Sequence, residues 1–543
     1  MEHARAPGRG SANPTVAGVV MPRLKVDRGT LKTRVIAEKG ERKTLVSRWV
    51  GTITNTVSQG NVRLQRQAGP TVSARFYSMA GTGMYEAWQL FDRRSKSSIG
   101  SESKRLLRRV GSLNPSRAVI ENVISRTALK VLSSNVSGIT RDGRREILRF
   151  YRQSKNTLSD QTQRKVRKIA REVADSVVAT YSQDGFDRLI NYKPVNPDPH
   201  RVRKIDRWTP EFQISDHPAS GLQTFLTPQW GDVSPFGLGT RELRRITGKA
   251  AAPEPFLLDP RDTHNLRKGV IFDNGKGKGK PVPINAHAVG RFINPRFIRQ
   301  TENVLAFSRK LNPGKAGTRR KGIAEYWEDG PDTPFPPGTW MVFGQYASLA
   351  ENNSLGEDAQ LFLGLAASLH NAGISSWDLK LNTDYVRPIR AVQDLSRFGL
   401  LKDADGNPSN GSQFHAYNRR TGKVDLITGS DWETYQKQEG GYSPPFAEYT
   451  SGHSTFSAAG AEFLKRFTGS KAFGGKVAFD LSFEFPNGGS TELQWKTWQE
   501  AALDAGRSRL WGGIHFPGGN RQGLKVGDKI GAAVHHNLSQ LWG

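Results

Sequence analysis

Three short stretches of the 543-residue chain combine cations, imidazoles and glycines at spacings that suit a bound oxyanion. The first runs Trp377-Asp378-Leu379-Lys380 and is followed, seven residues after the lysine, by Arg387-Pro388. The second is Pro444-Pro445-Phe446-Ala447-Glu448-Tyr449-Thr450-Ser451-Gly452-His453-Ser454. The third is Ser508-Arg509-Leu510-Trp511-Gly512-Gly513-Ile514-His515, its arginine and histidine six residues apart. Arginine offers a planar fork of donors and lysine a compact charge. The middle stretch reads as a tight loop opening a helix over Ser454–Leu464. Ser451 and Gly452 then stand where a helix presents unpaired N–H groups and the positive end of its dipole. Gly452 lets the backbone come close to an anion. Of the two imidazoles, one can be a ligand or nucleophile while the other moves protons near neutral pH. Taken alone, the middle stretch is equally an ordinary capped helix with a surface histidine. The three stretches together point to a tetrahedral or trigonal-bipyramidal oxyanion.

The ordered pattern Lys-x6-Arg-Pro, Ser-Gly-His and Ser-Arg-x3-Gly-x-His resembles the vanadium-dependent haloperoxidases. The same pattern belongs to the superfamily of type 2 phosphatidic acid phosphatases and bacterial acid phosphatases. Thr450 departs from the usual proline of the middle motif, at a position that stiffens backbone and is not a ligand. The resemblance implies that His515 bonds to vanadium, and that Lys380, Arg387, Ser451, Gly452 (through its N–H) and Arg509 hold the vanadate oxygens. It implies Lys380 and His453 as catalytic groups, the lysine polarising peroxide and the histidine carrying protons. Asp329, in an aromatic-rich Asp-Gly segment ahead of Pro336-Pro337, would hold the Arg509 guanidinium in register. Trp377 and Phe446 match the aromatic positions lining the halide pocket of fungal chloroperoxidases, whereas algal bromoperoxidases carry a histidine at the Phe446 position. The implied reaction is oxidation of bromide or iodide, or of chloride, by hydrogen peroxide to hypohalous acid, which halogenates a small organic substrate. The phosphatase alternative uses the same cage, with His515 as nucleophile and His453 protonating the leaving alcohol.

These motifs need rigid elements beneath them. Helical spacing predicts a buried helix in which Val72–Ala80 leads into Met84–Asp92, then helices over Ser116–Leu132, Arg141–Tyr151 and Thr162–Tyr181. A long apolar helix over Ala359–His370 is expected to end near Gly373, before Trp377 and Lys380. His370, among core residues, reads as structural. Val526–Leu541 closes the chain as an amphipathic helix, with His535 and His536 at the surface or a subunit contact. Residues 396–442 look like an inserted excursion, and residues 185–313 like Pro- and Trp-anchored loops shaping the entrance to a site. The fold class expected is all-α: two four-helix-bundle cores with long Pro/Gly-rich connections, like vanadium chloroperoxidase. Residues 1–70 read as a basic extended arm, its first dozen residues disordered and Val46–Thr54 pairing as a strand or packing along a neighbouring subunit. Residues 71–320 form the N-terminal helical half with its loop region, and residues 321–543 the C-terminal half carrying the site. The two halves are one intertwined unit, and a homo-oligomer is expected.

Composition narrows the rest. There are 57 glycines and 29 prolines, which suits long connections, and no cysteine, so disulfide and thiolate chemistry are excluded. No run of about 18 apolar residues is present to span a membrane. No signal peptide is recognisable, since Ala17–Pro22 is too short for its apolar core. A net charge of +29 would draw anions and bind nucleic acid non-specifically at low salt. No nucleic-acid-reading motif accompanies the charge, so a basic binding protein with an inactive site is the weakest reading.

Overall fold

The computed structural model describes residues 43–64, 67–100, 102–212, 221–275, 278–403, 412–436, 443–480 and 490–542, with the backbone of two strands, Lys25–Arg28 and Lys32–Arg34. Of the arm read over residues 1–70, most of residues 1–42 lie outside the described residues, as does part of the excursion read over 396–442.

Fifteen α-helices lie among the described residues. The first six are α1 (Leu45–Ser58), α2 (Pro70–Gln89), α3 (Lys104–Gly111), α4 (Arg117–Leu132), α5 (Arg141–Ser154) and α6 (Asp160–Ser182). After a long irregular stretch come α7 (Thr240–Thr247), α8 (Pro295–Arg309), α9 (Lys315–Tyr326) and α10 (Phe335–Glu351). The last five are α11 (Leu355–Thr383), α12 (Pro388–Arg397), α13 (Gly452–Phe467), α14 (Trp498–Trp511) and α15 (Pro517–Ser539).

The expected all-α character holds only in part, because three small antiparallel sheets accompany the helices. The largest orders its strands Lys32–Arg34, Lys25–Arg28, Ala472–Asp480, Ser490–Thr497. Phe473, Val477, Leu493 and Trp495 are buried at alternate positions of its inner face. A three-stranded sheet (Thr263–Asn265, Val270–Phe272, Pro281–Pro283) and a hairpin (Gln413–Asn418 with Lys423–Thr428) occupy the stretches read as loops and excursion.

The hydrophobic side chains do not sort into one bundle core for each half of the chain. One continuous core runs from Leu45 to Leu538, and a second gathers the 202–305 region against Tyr385–Leu401, Phe414, Trp432, Tyr449 and Phe516. Helix α11 threads the main core, packing against α2 on one flank and against α13 and α15 on another.

Two expectations about elements are overturned. Val46–Thr54 is not a strand but part of α1. Thr44 caps that helix by accepting from the Ser47 N–H at 3.1 Å. Val46, Trp49, Val50, Ile53 and Val57 then share one buried face, a helical periodicity that outweighs the β-branched composition. The long apolar helix does not end near Gly373. Helix α11 begins on a Ser354/Glu357 capping box and runs through Gly373 to Thr383, stopping where Asp384 turns left-handed (φ 44°). A Cβ on Gly373 would lie 3.3 Å from the Phe456 ring, so this glycine serves helix packing and not helix termination.

Candidate active site

The course of α11 puts Trp377 and Lys380 on its last turns, three residues apart and on one face. Both are fully buried. The lysine meets the loop 444–451 head-on: Nζ donates to the carbonyls of Ala447 (2.9 Å), Glu448 (2.9 Å) and Thr450 (2.6 Å). An ammonium has three protons, so all are engaged. Burial first, and the Arg387 charge second, hold its pKa well below the ordinary lysine value. The Phe446 and Trp377 rings lie 5.0 and 5.8 Å from Nζ and 4.8 Å from each other, an aromatic pair beside the charge.

Arg387 stands immediately before Pro388, the first residue of α12, with extended backbone. Its Nε donates to the Phe446 carbonyl (2.8 Å) and Nη1 to that of Ile514 (2.9 Å), and Nη1 lies 3.2 Å from His515 Nε2. Arg509, in the last turn of α14, donates from Nη1 to the carbonyls of Trp327 (2.8 Å) and Glu328 (3.1 Å). Burial brings the two guanidiniums down to pKa values of about 10 and about 9. Arg387 Nη2 and Arg509 Nε are buried and have no hydrogen-bond partner among the described residues. Among the buried atoms without a partner in the described residues these are the two that belong to guanidinium groups, whose charge makes an acceptor the expected partner.

Ser451 caps α13, its hydroxyl accepting from the Ser454 N–H at 3.3 Å, and Gly452 is the first helical residue. His453 follows, with Nε2 3.2 Å from the Glu328 carbonyl. A carbonyl only accepts, so Nε2 carries the proton and Nδ1 the lone pair. His515 lies in the turn between α14 and α15, after Gly513 at φ 76°. Both histidines are held well below their ordinary pKa, first by burial and then by the surrounding cations, Arg509 foremost for His453 and Arg387 for His515. They are neutral at neutral pH.

Asp329, between α9 and α10, adopts φ 46° and is buried. Its carboxylate accepts from Thr339 Oγ1 (2.8 Å), while the arginine is clamped by the two preceding carbonyls. Asp329 therefore acts on Arg509 through charge and not through the direct contact expected. Burial lifts its pKa to about 7, and Arg509 opposes that rise.

Asp329, Trp377, Phe446, Gly452, His453, Arg509 and His515 line a single cavity of about 260 Å³. Lys380, Arg387 and Ser451 stand behind its wall. The ten residues singled out in sequence thus converge. Part of the lining was not anticipated: Val57, Gly60, Arg63, Ala68 and Pro70, from the stretch read as an extended arm, line the cavity with Phe335 and with Leu226 of the 185–313 loops. Glu448 was also missed. It is fully buried, and its Oε1 lies 2.7 Å from His515 Nδ1. The signal was present, an acid in the otherwise uncharged run Pro444–Tyr449 three residues before Ser451.

Residues 360–543 match the family model of the VCPO second helical-bundle domain. This part of the chain is similar to that domain. The vanadium-haloperoxidase resemblance drawn from the three motifs is upheld, since all three lie inside the matched bundle. Beyond that bundle, most of the chain shares its fold with solved structures. It is similar to a bacterial vanadium-dependent chloroperoxidase in its apo form (TM-score 0.65, 17% identity, covering 87% of this chain and 95% of that one). For the holo form the TM-score is again 0.65 at 17% identity, with 93% and 100% covered. A bacterial vanadium-dependent iodoperoxidase aligns with TM-score 0.58 and 18% identity over 92% of this chain and 97% of that one. No curated protein matches the chain. No helix among the described residues is long and apolar enough to cross a membrane.

Proposed function

We propose that this chain is a vanadium-dependent haloperoxidase. In this reading it oxidises bromide or iodide, and chloride as the most demanding case, with hydrogen peroxide to hypohalous acid that halogenates small organic molecules. The observation that carries the reading is the pair of buried guanidinium nitrogens without acceptors among the described residues, Arg387 Nη2 and Arg509 Nε, together with His515, whose Nε2 lies 3.2 Å from Arg387 Nη1. A tetrahedral oxyanion supplies what those donors lack. Among the described residues no group of three or more His, Cys, Asp or Glu is arranged to hold a bare cation, so the donor set suits vanadate and not a simple metal ion.

Arg387 and Arg509 would hold vanadate oxygens, the N–H of Gly452 and the Ser451 hydroxyl would add donors at the start of α13, and His515 Nε2 would bond to the metal. When bound, vanadate supplies a Lewis-acid centre that activates peroxide towards halide. The residues do the rest. His453, neutral, can take up a proton at Nδ1 and return it while Nε2–H stays on the Glu328 carbonyl. Lys380 fixes the loop carrying Ser451 and Gly452 and contributes its charge; to donate to an oxyanion or peroxide it must exchange one of its three carbonyls. Trp377 and Phe446 provide a low-dielectric, polarisable wall beside these cations, suited to a halide. The shared fold with chloroperoxidase and iodoperoxidase structures supports this assignment. A homo-oligomer is part of the proposal, and light scattering tests it.

The same orphan donors suit phosphate, which makes phosphoester hydrolysis through His515 the second reading. One experiment separates the two. Apo-protein is assayed with bromide, peroxide and a phenolic dye, with and without orthovanadate, and in parallel for phosphate-ester hydrolysis. Halogenation that appears only with orthovanadate is the expected result; ester hydrolysis without halogenation would replace the peroxidase by a phosphatase.

A further inference from the structure

We infer that Glu448 is the positioning residue that decides which nitrogen of His515 faces the cage. The inference rests on the oxyanion site proposed above but uses an acid outside the three-motif pattern. His515 is held from both sides. On one, Nε2 lies 3.2 Å from Arg387 Nη1, a donor shared with the Ile514 carbonyl at 2.9 Å; a guanidinium has no acceptor, so this contact suits an Nε2 lone pair but does not by itself hold the ring in one tautomer. On the other, Nδ1 lies 2.7 Å from Glu448 Oε1, which also accepts the Phe516 N–H at 3.0 Å. Nδ1 therefore carries the proton. The two contacts define one tautomer, with the Nε2 lone pair aimed where a bonded centre would sit, as outer-sphere carboxylates do for ligating histidines.

Glu448 is itself built in. Its N–H donates to the Tyr385 carbonyl (3.0 Å), and its own carbonyl accepts from Lys380 (2.9 Å). A Cβ on Gly519 would fall 2.3 Å from Oε1, so a side chain at 519 would displace the carboxylate. The second oxygen, Oε2, is buried without a partner among the described residues. A half-satisfied carboxyl that, when ionised, adds negative charge to an anion cage disfavours both folding and plain anion binding. Orienting the imidazole is a role that accounts for it.

That opposition provides the test. An anion held by charge alone and one bonded to His515 must respond oppositely to loss of Glu448. Affinities of wild type, Glu448→Ala and Glu448→Gln are measured by isothermal titration with orthovanadate and with sulfate, which forms no bond to imidazole. The tautomer of His515 is read from its 15N shifts. In Glu448→Ala, orthovanadate affinity is expected to fall about 10–100-fold, the range for removed outer-sphere partners. Sulfate affinity should hold or rise, and His515 should lose its pure Nδ1–H form. Glu448→Gln keeps an acceptor for Nδ1–H and should restore both the tautomer and most of the orthovanadate affinity. Equal losses for the two anions, or an unchanged tautomer in Glu448→Ala, would overturn the assignment. A wild type that binds orthovanadate no better than sulfate would sink the cofactor reading instead, and the 15N shifts would still decide the role of Glu448.

Discussion

The two ends of the main core each bury arginine, and they treat it differently. In the N-terminal half, Arg75 of α2 is closed off. Its Nε meets Asp184 at 2.7 Å, Nη2 the Tyr181 carbonyl at 2.6 Å and Nη1 the Val136 carbonyl, and the Phe186 ring lies 3.8 Å from Cζ. In the C-terminal half, Arg387 and Arg509 are as deeply buried, yet each keeps one nitrogen without an acceptor. Their hydrogen-bond partners are neutral carbonyls, apart from the imidazole beside Arg387, with Glu328 and then Asp329 acting on Arg509, and Glu448 on Arg387, through space. A buried charge neutralised in place is architecture. One left short of acceptors is a site that awaits an anion, and the difference can be broken by mutation.

The largest expected effect comes from exchanging the fates of the two kinds of arginine. Arg75→Met strands a buried Asp184 carboxylate, which should destabilise the fold by about 3–5 kcal/mol while the protein that still folds binds orthovanadate normally. Arg387→Met leaves the Phe446 and Ile514 carbonyls short of a donor but strands no bonded carboxylate. It should destabilise by about 1–3 kcal/mol and weaken orthovanadate at least about tenfold, the loss of one charge-assisted hydrogen bond. Chemical denaturation and titration calorimetry measure both. An Arg387→Met protein with full affinity and an Arg75-like stability loss would erase the distinction.

Adding the anion sharpens the same contrast from the other side. Orthovanadate at about 100 times its dissociation constant should stabilise wild type by about 2.7 kcal/mol, read as a shift of the denaturation midpoint. Arg75→Met should gain as much as wild type. Arg387→Met, at the same concentration, should gain clearly less. A shift of equal size in all three proteins would place the anion elsewhere.

How far the sequence carried this reading depended on the kind of information each residue holds. Lys380, Arg387, Ser451, Gly452, His453, Arg509 and His515 could be singled out because their chemistry and spacing are local; the structure sets Gly452, His453, Arg509 and His515 on the cavity wall, with the other three behind it. The roles that depend on long-range packing were not. Lys380 reads as an anion ligand, and only the path of the 444–451 loop shows its three protons on carbonyls. Asp329 reads as a direct partner of Arg509, yet backbone carbonyls of Trp327 and Glu328 take that place, and carbonyls leave no trace in composition. Val46–Thr54 misled because β-branched residues suit strands until a cap and a buried face choose helix. The sheet strand Ala472–Asp480 was hidden by Gly474 and Gly475, which interrupt its alternation.

The double role of Lys380 gives a third, smaller effect. Its ammonium is a clamp on the loop as well as a charge, so Lys380→Arg keeps charge but brings a planar fork to three converging carbonyls. Hydrogen exchange at the amides of residues 447–453 should quicken in Lys380→Arg and in Lys380→Met. Sulfate affinity should fall more in the methionine variant, which loses the charge. Unchanged exchange in both would mean that the loop is held by other contacts and that the lysine acts on anions alone.

The smallest effect tests the closed region by pH. His370, fully buried on α11 with its ring 6.4 Å from that of Tyr181, has its pKa lowered to about 3, first by burial and then by the Arg75 charge. An unfolded histidine titrates near 6.5. Between those values the unfolded chain binds a proton that the folded chain refuses, so stability contributed by neutral His370 is complete above pH 6.5 and is lost as pH falls towards 3. From pH 6.5 to 5.5 the loss should be about 1 kcal/mol. His264, His453 and His515 add slopes of the same sign, so the quantity to measure is the difference between wild type and His370→Leu across that interval. The variant should show the shallower slope by that amount, and orthovanadate should leave the difference untouched, because His370 borders the closed arginine and not the open pair. A difference that changes with orthovanadate would couple the two regions and end the separation drawn between them.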